Sequence, residues 1–235
     1  MSTYHDIVKE LKHVASTEKA AFFPRFFKTG KGQYGEGDVF YGVTVPMQRS
    51  IAKKYQELAD ESTIVALLDS KFHEERLTGI FILLHHFKKA KKSNQEKCWI
   101  DLYLSKVDRI NNWDLVDSSA PYLLGVWLAD KDRSILYEFA EDTSLWKNRI
   151  AVLATFHFIK QNDLTDLLKL SKILLQHPHD LMHKAIGWML REAWKKQPQT
   201  IEAFIELHIS KMPRTMLRYA IEKMEPSQRL HYMKK

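Results

Sequence analysis

An all-α fold is predicted by three observations. After residue 46 nearly every segment places apolar residues at helical spacing, no strand-like alternation competes, and cap residues or prolines separate one segment from the next. Before that point lies "STEKAAFFPRFFK", where Ser16 or Thr17 can cap a helix begun by Glu18, Lys19 and Ala20. "TGKGQYGEGD" follows, holding four of the eight glycines within residues 29–38. Gly30, Gly32 and Gly35 spell G-x-G-x-x-G, but neither the preceding strand nor the following helix of a dinucleotide site is present, so a flexible connector is the reading. Pro46 then opens "PMQRSIAKKYQELA", Ser62 caps "TIVALLD", and "HEERLTGIFILLHHFKKAKK" makes one long helix over 73–92. Further helices begin near Asn112, Asp132, Ser144, Asp163, Pro178, Pro198 and Pro213.

The helices fall into paired units of about 35–45 residues, the length at which HEAT-like repeats stack into a solenoid. Residues 1–235 are therefore expected to form a single HEAT-like domain with a glycine-rich loop near 29–42 and a concave basic face. A globular bundle is the alternative.

Composition narrows the chemistry. Against 29 Asp plus Glu stand 36 Lys plus Arg, a formal charge of +7 that suits a polyanionic partner. A single cysteine, Cys98, excludes an internal disulfide and a multi-cysteine zinc site; its setting "KCWIDLYL" reads as an apolar helix face. No segment has the apolar length of a membrane span, and "MSTYHDIVKE" lacks the pattern of a secretory signal, so the expectation is a cytoplasmic protein. His177, His179 and His183 have no cysteine or carboxylate to complete a familiar ligand set; neither metal nor cofactor is expected.

Three helices break their own pattern. In "HDLMHKAIGWMLREAWKKQ" the core stripe is Met182, Ile186, Met189, Leu190 and Ala193, while Trp188 lies opposite among Lys184, Arg191 and Lys195. Trp188 either packs on a neighbouring helix or offers a stacking surface flanked by phosphate-binding cations. Arg149 lies within the apolar arc of Leu145, Val152, Leu153 and Phe156, so its charge is paired, by a carboxylate or a phosphate, or its stem snorkels to a rim. In "NNWDLVDSSAPYLLGVWL" Trp113 and Asp117 project together, four residues apart, and Pro121 is expected to kink the helix and free the Asp117 carbonyl. Asp114 is expected to serve the helix N-terminus.

"NNWDLVDSSAPYLLG" and "HKAIGWMLREAWKKQP" resemble the two most recognisable stretches of the AlkD-type alkylpurine DNA glycosylases, a family built from HEAT-like repeats, and the helical pattern follows that family over almost the whole chain. The resemblance implies that Trp113 and Trp188 flank a cleft against the deoxyribose of the lesion, that Asp117 is the catalytic carboxylate, and that Arg149 sits beside it near the DNA backbone. It also implies a duplex held on the concave face without a pocket for an extruded base. Lys184, Arg191, Lys195, Arg214 and Arg218 are candidate phosphate contacts. The expected partner is double-stranded DNA, bound by a monomer, with hydrolysis of the N-glycosidic bond of cationic N3- or N7-alkylpurines.

One stretch departs from the family. Its second N-terminal helix grips the minor groove, whereas here the matching segment carries Pro24 and then the glycines, costing about 3 kcal/mol and about 1 kcal/mol each in a helix interior. That helix is expected to be altered, which leaves a DNA-binding paralogue with weak or no excision as the second reading.

Overall fold

A computed structural model describes residues 3–234, and over these the chain is all-α: fifteen α-helices and two short 3-10 turns, with no strand among the described residues. The chain folds as two compact units, one ending at Ser119 and the other beginning at Ala120.

The first unit holds α1 (Thr3–His13), α2 (Thr17–Phe26), α3 (Val45–Tyr55), α4 (Glu61–Leu68), α5 (His73–Lys91), α6 (Lys97–Ser105) and α7 (Trp113–Ser119). α5 is its axis, packed by α3, α4, α6, α7 and α1. That is why its middle, Leu77 to Leu84, is buried on every side rather than along one stripe. Asp60, not Ser62, caps α4: its carboxylate accepts the Thr63 N–H at 2.9 Å, and its negative charge favours the helix N-terminus.

The helix expected to be altered is present as a regular element. α2 runs from Thr17 through Pro24 to Phe26, with the Ser16 hydroxyl accepting from Lys19 N–H. Pro24 sits in the last turn, so the bend it imposes has only two helical residues beyond it, although it still forfeits the main-chain bond to the Ala20 carbonyl. Gly42, at φ +83°, lets the returning chain touch α2: a Cβ there would lie 2.1 Å from the Ser16 carbonyl oxygen and 2.6 Å from Ala20 N.

The glycine segment is a chain of turns tied down by its own groups. Gly30 N–H donates to Gln33 Oε1 at 2.9 Å, Gly32 N–H to Glu36 Oε2 at 2.7 Å, and Gly35 N–H to the Lys28 carbonyl at 3.0 Å. The three N–H groups that a phosphate would need are thus already used, and the G-x-G-x-x-G spelling serves only the turns.

The second unit holds α8 (Leu124–Trp127), α9 (Ser134–Glu141), α10 (Leu145–Lys160), α11 (Thr165–Ile173), α12 (Asp180–Trp194), α13 (Pro198–His208), α14 (Arg214–Ala220) and α15 (Pro226–Lys234). Its core is α10 and α12, with α9 and α11 against α10 and α13 and α14 against α12. Pro121 does more than kink its helix. α7 stops at Ser119, a turn follows, and α8 starts afresh at Leu124.

Gly187 makes the α12–α14 contact close, since a Cβ would fall 2.5 Å from the Met216 carbonyl oxygen. Gly187→Ala should therefore cost about 1–3 kcal/mol through overpacking, read as a lower urea midpoint with unchanged m-value.

Candidate functional site

The sequence of α7 delivers two kinds of residue from one helix. Trp113 and Asp117, one turn apart, are half-buried and line a cleft of about 470 Å³ within the first unit; Asp114 turns inward, 8% exposed. The Asn112 side-chain oxygen accepts the Trp113 N–H at 2.9 Å and begins the helix.

The cleft walls are aromatic. Phe27 stacks on Trp113, with centroids 5.5 Å apart and planes 18° from parallel, and on Phe40 at 5.2 Å, while Phe26 meets the Trp113 ring edge-on at 5.7 Å. Phe22 and Phe26 remain 56% and 49% exposed, so α2 presents two stacked rings to solvent beside the cleft. The resemblance implied no such cavity, and its walls come from the segment in which the sequence seemed to depart from the family.

Beneath the rings lies a buried ionic network that the sequence reading did not find. His73, at the first position of α5, bridges two carboxylates: Nδ1 to Asp38 Oδ2 at 2.9 Å and Nε2 to Asp114 Oδ2 at 2.8 Å. Burial alone would lower the imidazole pKa, but the Asp114 and Asp38 carboxylates overrule it and push the pKa up to about 9, so His73 is an imidazolium at neutral pH. Asp38 feels the reverse balance: burial raises its pKa, while His73 and Arg76 hold it below the usual range. Arg76 reaches Asp38 Oδ1 at 2.5 Å and the Ser70 carbonyl at 2.9 Å. Phe27 and Phe40 cover the imidazolium at 4.7 and 5.1 Å between centroids.

The same turn of α5 orders the segment entering the cleft. Glu74 accepts three main-chain N–H groups, from Tyr41 at 3.1 Å, Gly42 at 2.8 Å and Val43 at 3.1 Å. Glu75 accepts the hydroxyls of Tyr41 and Tyr4 at 2.5 and 3.0 Å. Burial and Glu75 push the Tyr4 pKa up to about 12 and that of Tyr41 further upward.

The remaining expected residues belong to the second unit. Arg149, on α10, is 5% exposed, and its Nη1 donates to the Leu181 carbonyl at 2.6 Å, so it lies inside the unit rather than at a rim. Trp188 is half-buried, its ring tilted 6.3 Å from Phe156 of α10, which gives the neighbouring-helix packing that was one of its two readings. Lys160 stands over the Phe156 ring at 4.3 Å.

Most candidate phosphate contacts have protein partners. Lys184 pairs with Asp180 at 2.7 Å, Arg191 with Glu222, and Lys195 with Glu192 at 2.8 Å. Arg214 donates to the Met233 carbonyl at 2.7 Å, and Arg218 lines a shallow depression with Glu222 and Arg229. Exposed pairs of this kind are worth about 0–1 kcal/mol, weak enough for a phosphate to replace the carboxylate.

The histidine group is structural. His179 Nδ1 accepts the Leu181 N–H at the start of α12, His177 bonds Asn148, and His183 bonds the His177 carbonyl at 2.6 Å. Among the described residues no group of three His, Cys, Asp or Glu is placed to hold a metal ion. Cys98 is exposed, not turned into an apolar face, and no described helix is long and apolar enough to cross a membrane.

Residues 7–224 match the family model described as DNA alkylation repair enzyme. A solved structure described as a predicted DNA alkylation repair enzyme from Enterococcus faecalis superposes with a TM-score of 0.72, covering 90% of this chain and 97% of its own at 18% identity, which establishes a shared fold. No curated protein matches.

The ionic network sets a pH window for stability. His73 titrates at about 9 when folded and near 6.5 when unfolded, so its contribution is complete below 6.5 and lost as pH rises through 9. Asp38, depressed when folded, contributes above its ordinary value of 3.8 and loses that contribution on acidification. Urea midpoints should therefore fall at both ends of a plateau from weakly acidic to neutral pH. His73→Leu, which leaves two buried carboxylates facing each other, should cost about 3–5 kcal/mol and remove the His73 part of the alkaline decline.

Proposed function

The chain belongs to the DNA alkylation repair enzyme family, and on that premise we propose that it binds duplex DNA and hydrolyses the N-glycosidic bond of cationic N3- or N7-alkylated purines. The observation that carries this reading is the Trp113 and Asp117 pair, set one helical turn apart on the wall of an aromatic cleft.

An alkylated purine cation leaves without help from a general acid. As the bond from C1′ to the base nitrogen breaks, its electron pair passes to the purine and cancels the positive charge. Charge develops instead on the sugar, and a carboxylate beside C1′ stabilises that oxocarbenium-like centre. Asp117 is the group assigned to it. The same carboxylate accepts the proton of the water whose oxygen bonds to C1′, leaving an abasic sugar and a neutral base. Trp113 contributes negative π density to the cation, about 0.5–2 kcal/mol by its face.

In the second unit, Trp188 is assigned to the DNA strand and Lys184, Arg191, Lys195, Arg214 and Arg218 to phosphates, while the buried Arg149, expected beside the DNA backbone, instead ties α10 to the start of α12 through the Leu181 carbonyl. The formal charge of +7 supports a polyanionic partner, and each phosphate neutralised releases counterions.

Incubation with duplex DNA containing N7-methylguanine should generate abasic sites, and Asp117→Asn should slow their appearance by about 10²–10⁴-fold without weakening duplex binding. DNA that is bound yet stays intact with the unaltered protein would overturn excision and leave a DNA-binding member of the family without it. Arg214→Ala combined with Arg218→Ala should reduce the slope of log affinity against log salt by about 2, measured by anisotropy with a fluorescent duplex.

A further inference from the structure

The second unit carries a row of rings of which the duplex reading uses only Trp188. Gly125 sets its start: a Cβ there would lie 2.4 Å from the Ala154 carbonyl oxygen, so α8 and the turn before it press against α10. Tyr122, in that turn, is 41% exposed. Phe156 of α10 and Trp188 of α12 are half-buried, with centroids 6.3 Å apart and planes tilted by 42°. The exposed Lys160, one turn beyond Phe156, completes the row: its ammonium lies 4.3 Å from the Phe156 centroid and 6.0 Å from that of Tyr122.

Spacing and charge narrow what such a row can hold. Bases along one strand of a duplex are stacked about 3.4 Å apart and cover one another's faces. Rings 6.3 Å apart are out of step with that repeat but suit bases that have parted from their neighbours and can each lie on a ring. The lysine also differs from the other candidate cations of this unit. Lys184, Arg191 and Lys195 are each held by a carboxylate, whereas Lys160, among the described residues, rests on rings, a contact that a base and a phosphate can replace without leaving an acidic side chain beside the strand.

We propose that Tyr122, Phe156 and Trp188, with Lys160 between the first two, bind a single strand of DNA, its bases stacking on the rings and a phosphate meeting the lysine. The strand is already unpaired, so no base is drawn from a duplex. This surface shares Trp188 with the repair reading but needs neither Asp117 nor excision.

The full-length protein is titrated at low salt with a fluorescein-labelled oligothymidylate of about twelve nucleotides, and with a duplex of the same length, by anisotropy. Saturable binding of the oligothymidylate, with quenching of tryptophan emission, is expected. Tyr122→Ala should weaken it about 5–100-fold while leaving duplex binding within about twofold, and Tyr122→Phe, which keeps the ring, should retain it. Lys160→Ala should flatten the slope of log affinity against log salt by about 0.7. Both side chains are exposed, and circular dichroism checks that the variants fold. No saturable single-strand binding, unchanged binding in Tyr122→Ala, an equal loss in Tyr122→Phe, or an equal loss of duplex binding in Tyr122→Ala would overturn the proposal. None of these outcomes depends on excision of alkylated duplex DNA, so the repair reading stands or falls by its own assay.

Discussion

His73 joins the parts of the first unit that have no other reason to meet. Its two ring nitrogens bind a carboxylate from the end of the glycine turns and another from α7, while its own backbone begins the central helix. An imidazolium between two carboxylates is stable in a dry interior only when all three are held in place, so fixing one fixes the others. The rings of Phe27 and Phe40, and through Phe27 that of Trp113, rest on that platform. The cleft is thus built on a salt bridge rather than on apolar packing alone.

Much of the fold was legible in the sequence. α5 was legible within a residue at its end, and the starts of α7, α9, α10, α11, α12, α13 and α14 within about two, because prolines, cap residues and apolar spacing all act locally; the separate starts of α8 and α15 were not. Trp113 and Asp117 were legible for the same reason, as four-residue spacing on a helix fixes a shared face. What was not legible was long-range pairing. Asp38 and His73 are separated by 35 positions, and His73 and Asp114 by 41; no local pattern joins them. A signal was present in "HEER", four polar residues opening a helix whose continuation is almost wholly apolar, but polarity at a helix start is ordinarily a mark of exposure.

α2 teaches the opposite lesson. Helix propensity argued against it, yet capping by Ser16 and close contact with Gly42 outweigh a proline placed in the final turn. Propensity is a local term of about 3 kcal/mol, and the cap and the tertiary contact on α2 offset it where the proline lies two residues from the helix end.

Glu74 grips the main chain of Tyr41, Gly42 and Val43, not their side chains. Every amino acid but proline carries the N–H it needs, so apart from the tight contact at Gly42 and the hydroxyl of Tyr41, this anchor imposes little on which residues occupy the strip. Such a segment is free to drift in composition while its path stays fixed, and a shared architecture at 18% identity is the outcome to be expected where a fold is held by its backbone.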